Sequence, residues 1–415
     1  MHKSISSPTS ESRNVSAGLL ITAILVTAAA LRSPITGVGS LIGDIEATTG
    51  LSHTLSGLLT TLPLLAFAVF ALTAPGLAAK LGTEHTLFYC LLLMTGGILI
   101  RSLPSTLALF AGTALIGMGI AVCNVLLPGL IKHNFPLRVG LMTSLFTSSL
   151  NLWAAISSGI SVPLAHTTLG WRGMLASWSL LTAITAFLWL LLILKRRTKG
   201  YGTSAAISGS SAAQTDTIRP VQTKSIWRSP VAWMVTIFMG SQSIMFYISI
   251  SWLPDILHGQ GMSAAQAGWM LSLMQLVSMA GSFLMPLIAV RTHNQKLLTA
   301  ISSAFFLFGF TGIWLAPTSW APFFIILIGS GSGATFSLVL VFFSLRSRTA
   351  QQANQLSGMA QSVGYLLAAI GPILLGFIHD QSGSWNTPLA VIIGLSLLTI
   401  VFGYMAGRKG YVDDK

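Results

Sequence analysis

The sequence predicts an all-α membrane protein of twelve transmembrane helices, arranged as two pseudo-symmetric six-helix bundles. Three observations lead there. Of 415 residues, 53% are hydrophobic and only 7% are charged, with a mean hydropathy of +0.77; a water-soluble chain carries about a quarter charged residues. Twelve apolar stretches are each long enough to cross a bilayer, which takes about 20 residues of helix. The two halves of the chain repeat one another.

The first span runs from Val15 to Leu41 and holds a single charge, Arg32. Ala28-Ala29-Ala30 offers small residues at a plausible cleavage site, but the apolar run continues past them, so the span is read as retained. The second span covers Thr54 to Ala79, the third Thr86 to Leu103 and the fourth Thr106 to Ile131. The fifth is Val139 to Ala165 and the sixth Trp171 to Leu194. Residues 195–228 then break the pattern, basic at both ends with SAAISGSSAAQTD between. Such a composition buries no core and reads as a flexible cytoplasmic linker. The seventh to ninth spans are Pro230 to Leu257, Ala264 to Val290 and Leu297 to Leu315. The tenth to twelfth are Ala321 to Leu345, Asn354 to His379 and Pro388 to Gly407. The expected organisation is a tail (1–14), a bundle (15–194), the linker (195–228), a second bundle (229–407) and a tail (408–415).

The duplication is visible in the residues. SLIGDIEATTGLS (Ser40–Ser52) aligns without gaps on SWLPDILHGQGMS (Ser251–Ser263), matching Ser40, Asp44, Ile45, Gly50 and Ser52 to Ser251, Asp255, Ile256, Gly261 and Ser263. The same register pairs Gly57 with Gly268, Pro75 with Pro286 and Lys80 with Arg291. Further on, Ala154-Ala155-Ile156 and Trp171 meet Ala368-Ala369-Ile370 and Trp385. Two parallel halves joined by a central loop are the arrangement of major-facilitator transporters, with the binding site near the midplane between halves.

Charge follows topology. The 22 Lys and Arg against 9 Asp and Glu suggest nucleic acid until they are placed. Nearly all the basic residues fall in alternate loops, and the opposite loops carry Asp44, Glu46, Asp255 and Asp380. That is the positive-inside pattern; it puts both termini in the cytoplasm and sets nucleic acid aside as a partner. Cys90 and Cys123 lie in apolar runs and read as buried small hydrophobes. His53, His166, His258 and His379 fall near outer helix ends without metal-ligand spacing. No cofactor, metal or nucleotide is expected: no G-x-x-x-x-G-K-[ST] motif and no soluble domain are present. Nor is an enzyme expected, since no nucleophile–base pair or metal cluster appears at membrane depth.

The candidate site is organised by Arg32. A charge inside a span costs about 3 kcal/mol or more and is kept where it faces protein or a watery cavity. Its planar fork suits a carboxylate, cyanate or nitro group. The competing reading is a structural arginine, bonded to carbonyls freed near Pro34 or paired with Asp44. Asn124 and Asn151 must face protein or cavity, as pocket residues or as interhelical hydrogen bonds. Tyr365 is the repeat partner of Asn151 and is expected at equal depth. Gln242, Tyr247, Gln275 and Gln361 add polar groups from the second half, with helix–helix bonding as the alternative. Trp153, Phe246 and Trp252 offer stacking surface. The glycine runs Gly117-Met118-Gly119 and Gly329–Gly333 are read as close helix packing. No Asp or Glu lies deep in a span, so no carboxylate proton relay is expected.

The chain resembles the cyanate permease / 2-nitroimidazole transporter branch of the major facilitator superfamily. The stretches are Leu31-Arg32, GLLTTLPLLAF (Gly57–Phe67), NVLLPGLIKHNFP (Asn124–Pro136), IWRSPVAW (Ile226–Trp233) and LSGMAQSVGYLLAA (Leu356–Ala369). It looks closer to the nitroimidazole side, because Ser33 separates Arg32 from Pro34, where the permease pattern has proline directly after the arginine. The superfamily's loop motif is degenerate. Pro75 stands at the first glycine, Ala79 at the aspartate and Lys80 at the first basic position; Gly82 is kept, and Thr83 and Glu84 replace the last basic pair. The resemblance implies a cytoplasmic latch there, which without its aspartate would have to be built otherwise, from Lys80, Gly82 and the nearest acid, Glu84. It implies a secondary transporter of the bacterial inner membrane, monomeric, exporting 2-nitroimidazole-like solutes. Uptake of cyanate or a similar small anion is the alternative, and a channel or non-transporting receptor the alternative from another class. The expected partners are a small-molecule or small-anion substrate and the lipid bilayer.

Overall fold

The computed structural model describes residues 10–39, 41–51, 53–198 and 226–414. Most of the expected linker and residues 1–9 of the expected N-terminal tail lie outside them. The first half comprises α1 (Ser10–Gly39), α2 (Ile42–Thr49), α3 (His53–Phe70), α4 (Ala74–Leu81), α5 (Thr83–Arg101), α6 (Thr106–Asn134), α7 (Val139–Ala165) and α8 (Gly170–Thr198). The second comprises α9 (Pro230–Gly259), α10 (Ala264–Arg291), α11 (Lys296–Leu315), α12 (Ala321–Leu345), α13 (Ala350–Ser382) and α14 (Asn386–Ala406). Among the described residues, 11 helices are long and apolar enough to span a membrane, and 12 if the bent pair α3–α4 is one span.

That pair corrects the expectation of one continuous second helix. The chain breaks at residues 71–73, and the two pieces are bent by 57°. Pro75, in the first turn of α4, has no N–H to give the Ala71 carbonyl, and its ring crowds that carbonyl. Its repeat partner Pro286 sits inside unbroken α10. There the carbonyl four residues back, on Ser282, takes a hydrogen bond from Thr147 Oγ1 of α7 at 2.9 Å. A helix tolerates proline where a neighbour satisfies the freed carbonyl.

The repeat also shows in the turns. Gly50 and its partner Gly261 both take left-handed backbone, at φ 68° and 94°, which only glycine adopts freely. Ser263 opens α10 and Thr349 opens α13, each in a reciprocal capping box with a glutamine three residues on.

Two further differences bear on charge. Asp44 lies on the separate short helix α2, with its carboxylate 3.6 Å from His166; it does not pair with Arg32. The expected C-terminal tail folds back on the molecule. Arg348 pairs with Asp413 at 3.3 Å and Asp414 at 2.8 Å, and the Val412 N–H bonds the Arg346 carbonyl at 2.9 Å. Arg346 is buried, donates to Gln295 Oε1 at 2.7 Å and stacks on Phe342. Burial pushes its pKa down to about 10, so it remains charged at neutral pH and these partners hold that charge.

The outward faces stay apolar: Phe187 is 57% and Phe308 61% exposed, as helices facing lipid require. One hydrophobic core fills the first bundle and continues into Leu338–Phe343, Leu356 and Met359 of the second, near the helix ends that carry the chain termini. The opposite half of the second bundle has a core of its own, around Met245, Phe306 and Ile325. The two bundles are therefore packed together toward the termini.

Candidate functional site

A small cavity lies between the bundles. The first bundle supplies Arg32 from α1 and Asn151 from α7. The second supplies Gln242, Ser243, Phe246 and Tyr247 from α9, with Ser278, Ser332, Gly333, Phe336 and Tyr365 from α10, α12 and α13. The space among them, open mouth included, is about 350 Å³. Among the described residues no carboxylate lines it.

Arg32 reaches across the bundle interface. Its guanidinium carbon lies 5.9 Å from the Phe246 ring centre and 5.8 Å from that of Phe336, within cation–π range. The rings continue: Phe246 meets Tyr247 at 5.2 Å, Tyr247 meets Tyr365 at 6.4 Å, and Tyr365 meets Phe67 at 5.0 Å. One cation thus faces a wall of aromatic rings, which suits a flat solute carrying negative charge or strong acceptors.

The polar groups are partly committed. Asn151 Nδ2 donates to Ser282 Oγ at 2.7 Å, and Ser282 Oγ donates to the Gly333 carbonyl at 3.1 Å. Asn151 is therefore both a lining residue and an interhelical bond. Gln242 Nε2 donates to Ser243 Oγ at 2.8 Å and to the Met239 carbonyl at 3.2 Å.

Of the residues singled out in the sequence, Arg32, Asn151, Gln242, Tyr247 and Tyr365 come together here. Asn124 on α6 and Gln275 on α10 are half-buried outside the lining. Gln361 is buried on α13 and bonds Ser357 Oγ at 2.8 Å. Among the aromatics, Phe246 is in the wall. Trp252 instead bonds the Pro372 carbonyl and packs on Trp385 within the second bundle. Sequence reasoning missed Ser243, Ser278 and Phe336, and read Ser332 and Gly333 as helix packing alone. The repeat held a signal for the first, since the offset that pairs Ser40 with Ser251 also pairs Arg32 with Ser243.

Gly333 illustrates why the glycine run matters beyond general packing. A Cβ there would overlap the Ser278 backbone carbonyl of α10. Gly333→Ala is expected to destabilise the protein by about 1–3 kcal/mol through overpacking, read as a lower melting temperature in detergent. An unchanged melting point would mean α10 and α12 separate freely.

Toward the termini the bundles are stitched shut. Lys132 Nζ of α6 donates to the Ser344 carbonyl of α12 at 2.6 Å and also to the Ser347 carbonyl. Ser344 Oγ donates back to the Pro128 carbonyl at 3.2 Å. Ser144 Oγ bonds the Phe283 carbonyl at 2.5 Å, and Ser362 Oγ the Ala68 carbonyl. Gly129 leaves room for Asn354, whose amide a Cβ would strike. Of the degenerate motif, Lys80 is exposed, Gly82 turns the chain at φ 84°, and Glu84 is half-buried in the first turn of α5. At this end, among the described residues, it is Lys132 that carries a cation across the bundles.

Comparison with known proteins agrees with this architecture. A family model described as Major Facilitator Superfamily matches residues 20–369. The 2-nitroimidazole transporter of Escherichia coli (strain K12) is 44% identical over 390 residues, 94% of this chain and 95% of that one. The cyanate transport protein CynX of the same organism is 28% identical over 381 residues, 90% and 94% of the two chains. The fold superposes on the proton:xylose symporter XylE with a TM-score of 0.73 at 13% identity, covering 94% of this chain and 96% of that one. With two pseudo-repeated halves around a central cavity and a family match over most of its length, the chain belongs to the Major Facilitator Superfamily and is a multi-pass membrane transporter.

Proposed function

We propose that this transporter moves small, flat, polar or anionic solutes by alternating access, with efflux of 2-nitroimidazole-like compounds as its leading activity. The observation that carries the reading is the single guanidinium of Arg32 set against Phe246, Phe336, Tyr247 and Tyr365. A planar heteroaromatic with acceptor oxygens fits between the two. The 44% identity to a protein named as a 2-nitroimidazole transporter supports the same class. Uptake of cyanate or a similar small anion would call for a compact cage of donors. Here Asn151 and Gln242 have their amide N–H groups engaged with Ser282 and Ser243. We place both termini in the cytoplasm on the distribution of basic loops, which makes the stitched end cytoplasmic and this conformation outward-facing. We also take the transporter to act as a monomer.

The test is flux in proteoliposomes with labelled 2-nitroimidazole and labelled cyanate, each with and without an imposed pH gradient. Saturable, counterflow-competent movement of 2-nitroimidazole is expected, exceeding cyanate by about tenfold, since ring contacts worth roughly 1.5 kcal/mol are open only to the former. Transport of cyanate alone would overturn the substrate class. Unsaturable flux of both would mark a channel. Net accumulation that appears only with the imposed pH gradient would indicate proton coupling, and net movement indifferent to it would indicate exchange or uniport.

A further inference from the structure

We infer that Arg101 is a positioning residue for Arg32: from behind α1 it holds the Pro34 carbonyl and so fixes where Arg32 presents its charge. This rests on the proposed reading of Arg32 as the substrate anchor.

Arg101 closes α5 and is 1% exposed. Its Nη1 donates to the Pro34 carbonyl at 2.7 Å. Among the described residues its Nε and Nη2 are buried without a hydrogen-bond partner. An arginine that leaves two of its three side-chain nitrogens unpaired in a bundle interior is a costly way to add stability, because buried donors without acceptors and charges without counter-charges both destabilise. Packing alone therefore does not explain it. What it does accomplish is one charge-assisted bond, stronger than a neutral one, to a particular carbonyl.

That carbonyl sits at the pliable point of α1. Pro34 has no N–H, so the Ala30 carbonyl loses its helical donor and the helix is free to bend beside Arg32. Side chains of other helices grip α1 on both sides of this point. Ser149 Oγ bonds the Leu25 carbonyl at 3.0 Å, and Trp189 Nε1 bonds Thr27 Oγ1 at 2.9 Å. Ser157 Oγ bonds the Ser33 carbonyl at 2.8 Å, and Arg101 takes the next one. Among these anchors Arg101 is the charged one. Its own backbone is clamped in turn: Gly112 of α6 packs so closely that a Cβ would overlap the Arg101 main chain. Arg101, from the first bundle, thus holds the main chain at Pro34, two residues beyond Arg32, whose side chain faces Phe246 and Phe336 of the second bundle.

The experiment compares wild type, Arg101→Met and Arg101→Lys in proteoliposomes. Benzoate and benzamide, an anionic and a neutral ring of one shape, compete against labelled 2-nitroimidazole. For Arg101→Met the inhibition constant of benzoate is expected to rise about tenfold and that of benzamide less than about twofold, with maximal flux nearly unchanged, as for loss of a supporting contact behind a ligand-binding group. Arg101→Lys, which keeps a charged donor, is expected to recover part of the difference. Equal shifts for both rings, or none for either, would overturn the inference. A second arm needs no substrate. Cysteines introduced as Arg32→Cys and Phe336→Cys are linked by a short bis-methanethiosulfonate, with and without Arg101→Met, and the melting temperature is recorded alongside. A lower linking rate in a protein that still melts cooperatively supports positioning; an unchanged rate refutes it. If wild type moves no 2-nitroimidazole, the substrate reading falls and this second arm still decides the role of Arg101. If Arg101→Met does not fold, Arg101→Lys carries both readouts.

Discussion

Arg32→Ala is expected to lower saturable flux of ring solutes by about a hundredfold, the loss of roughly 2–3 kcal/mol that a charge-assisted hydrogen bond to a desolvated ligand provides. Arg32→Lys is expected to fall between, by about tenfold, because an ammonium keeps the charge but not the flat fork that matches a nitro or carboxylate group. Stability should move the other way. Arg32 is half-buried and faces rings, with no carboxylate among the described lining residues, so removing it relieves part of the cost of desolvating a charge and the melting temperature should hold or rise. A structural arginine makes the opposite forecast: a lower melting point and little change in flux per folded molecule. Initial rates and melting curves on the same purified proteins separate the two. Retained flux in Arg32→Ala would end the reading of this cavity as a charge-anchored site.

The spans were readable because lipid imposes a simple rule. Lipid offers backbone polar groups no water to bond, so a crossing is built as helix and appears in the sequence as a long apolar run. The fifth and tenth spans have the bounds read from the sequence, Val139–Ala165 and Ala321–Leu345. What could not be read was whether a proline breaks its helix. Pro75 and Pro286 are equivalent in the repeat, yet α3–α4 breaks and α10 does not. The difference lies in Thr147, which reaches the freed carbonyl from another helix, and no local pattern reports such a partner.

The site divides along the same line. Arg32 stood out because charge is expensive in a span, and Tyr365 because the repeat set it opposite Asn151; both line the cavity. Glutamines and asparagines were ambiguous, since an amide bonds a neighbouring helix as readily as a solute. Gln361 bonds Ser357 and lies outside the lining. Ser332 and Gly333 were read as packing alone for another reason: small residues at a close helix contact have the same composition whether or not they border a cavity. Lys132 was counted only as a marker of loop charge, because its function depends on two carbonyls more than two hundred residues away along the chain.

Lys132→Ala is expected to open the termini end. α6 and α12 both finish there, and each helix C-terminus carries partial negative charge and carbonyls without intrahelical donors. Brought together they repel. Lys132, from the last turn of α6, places its ammonium on the Ser344 and Ser347 carbonyls at the end of α12, supplying both the counter-charge and the missing donors. Charge-assisted bonds of this kind contribute about 2 kcal/mol after allowance for partial exposure, which shifts a two-state balance by roughly thirtyfold. The reporter is Asn354→Cys, a position 9% exposed and seated against Gly129 in this conformation. Cys90 and Cys123 are buried and free, so they contribute little background. A membrane-impermeant maleimide applied from the termini side should label Asn354→Cys about tenfold faster in the Lys132→Ala background, less than the roughly thirtyfold shift in balance because the open state begins to fill. Lys80→Ala is the comparison that decides the assignment. Lys80 is exposed, so its removal should leave labelling near the wild-type rate. Faster labelling in Lys80→Ala than in Lys132→Ala would return the latch to the degenerate loop motif, with Lys132 reduced to a helix cap.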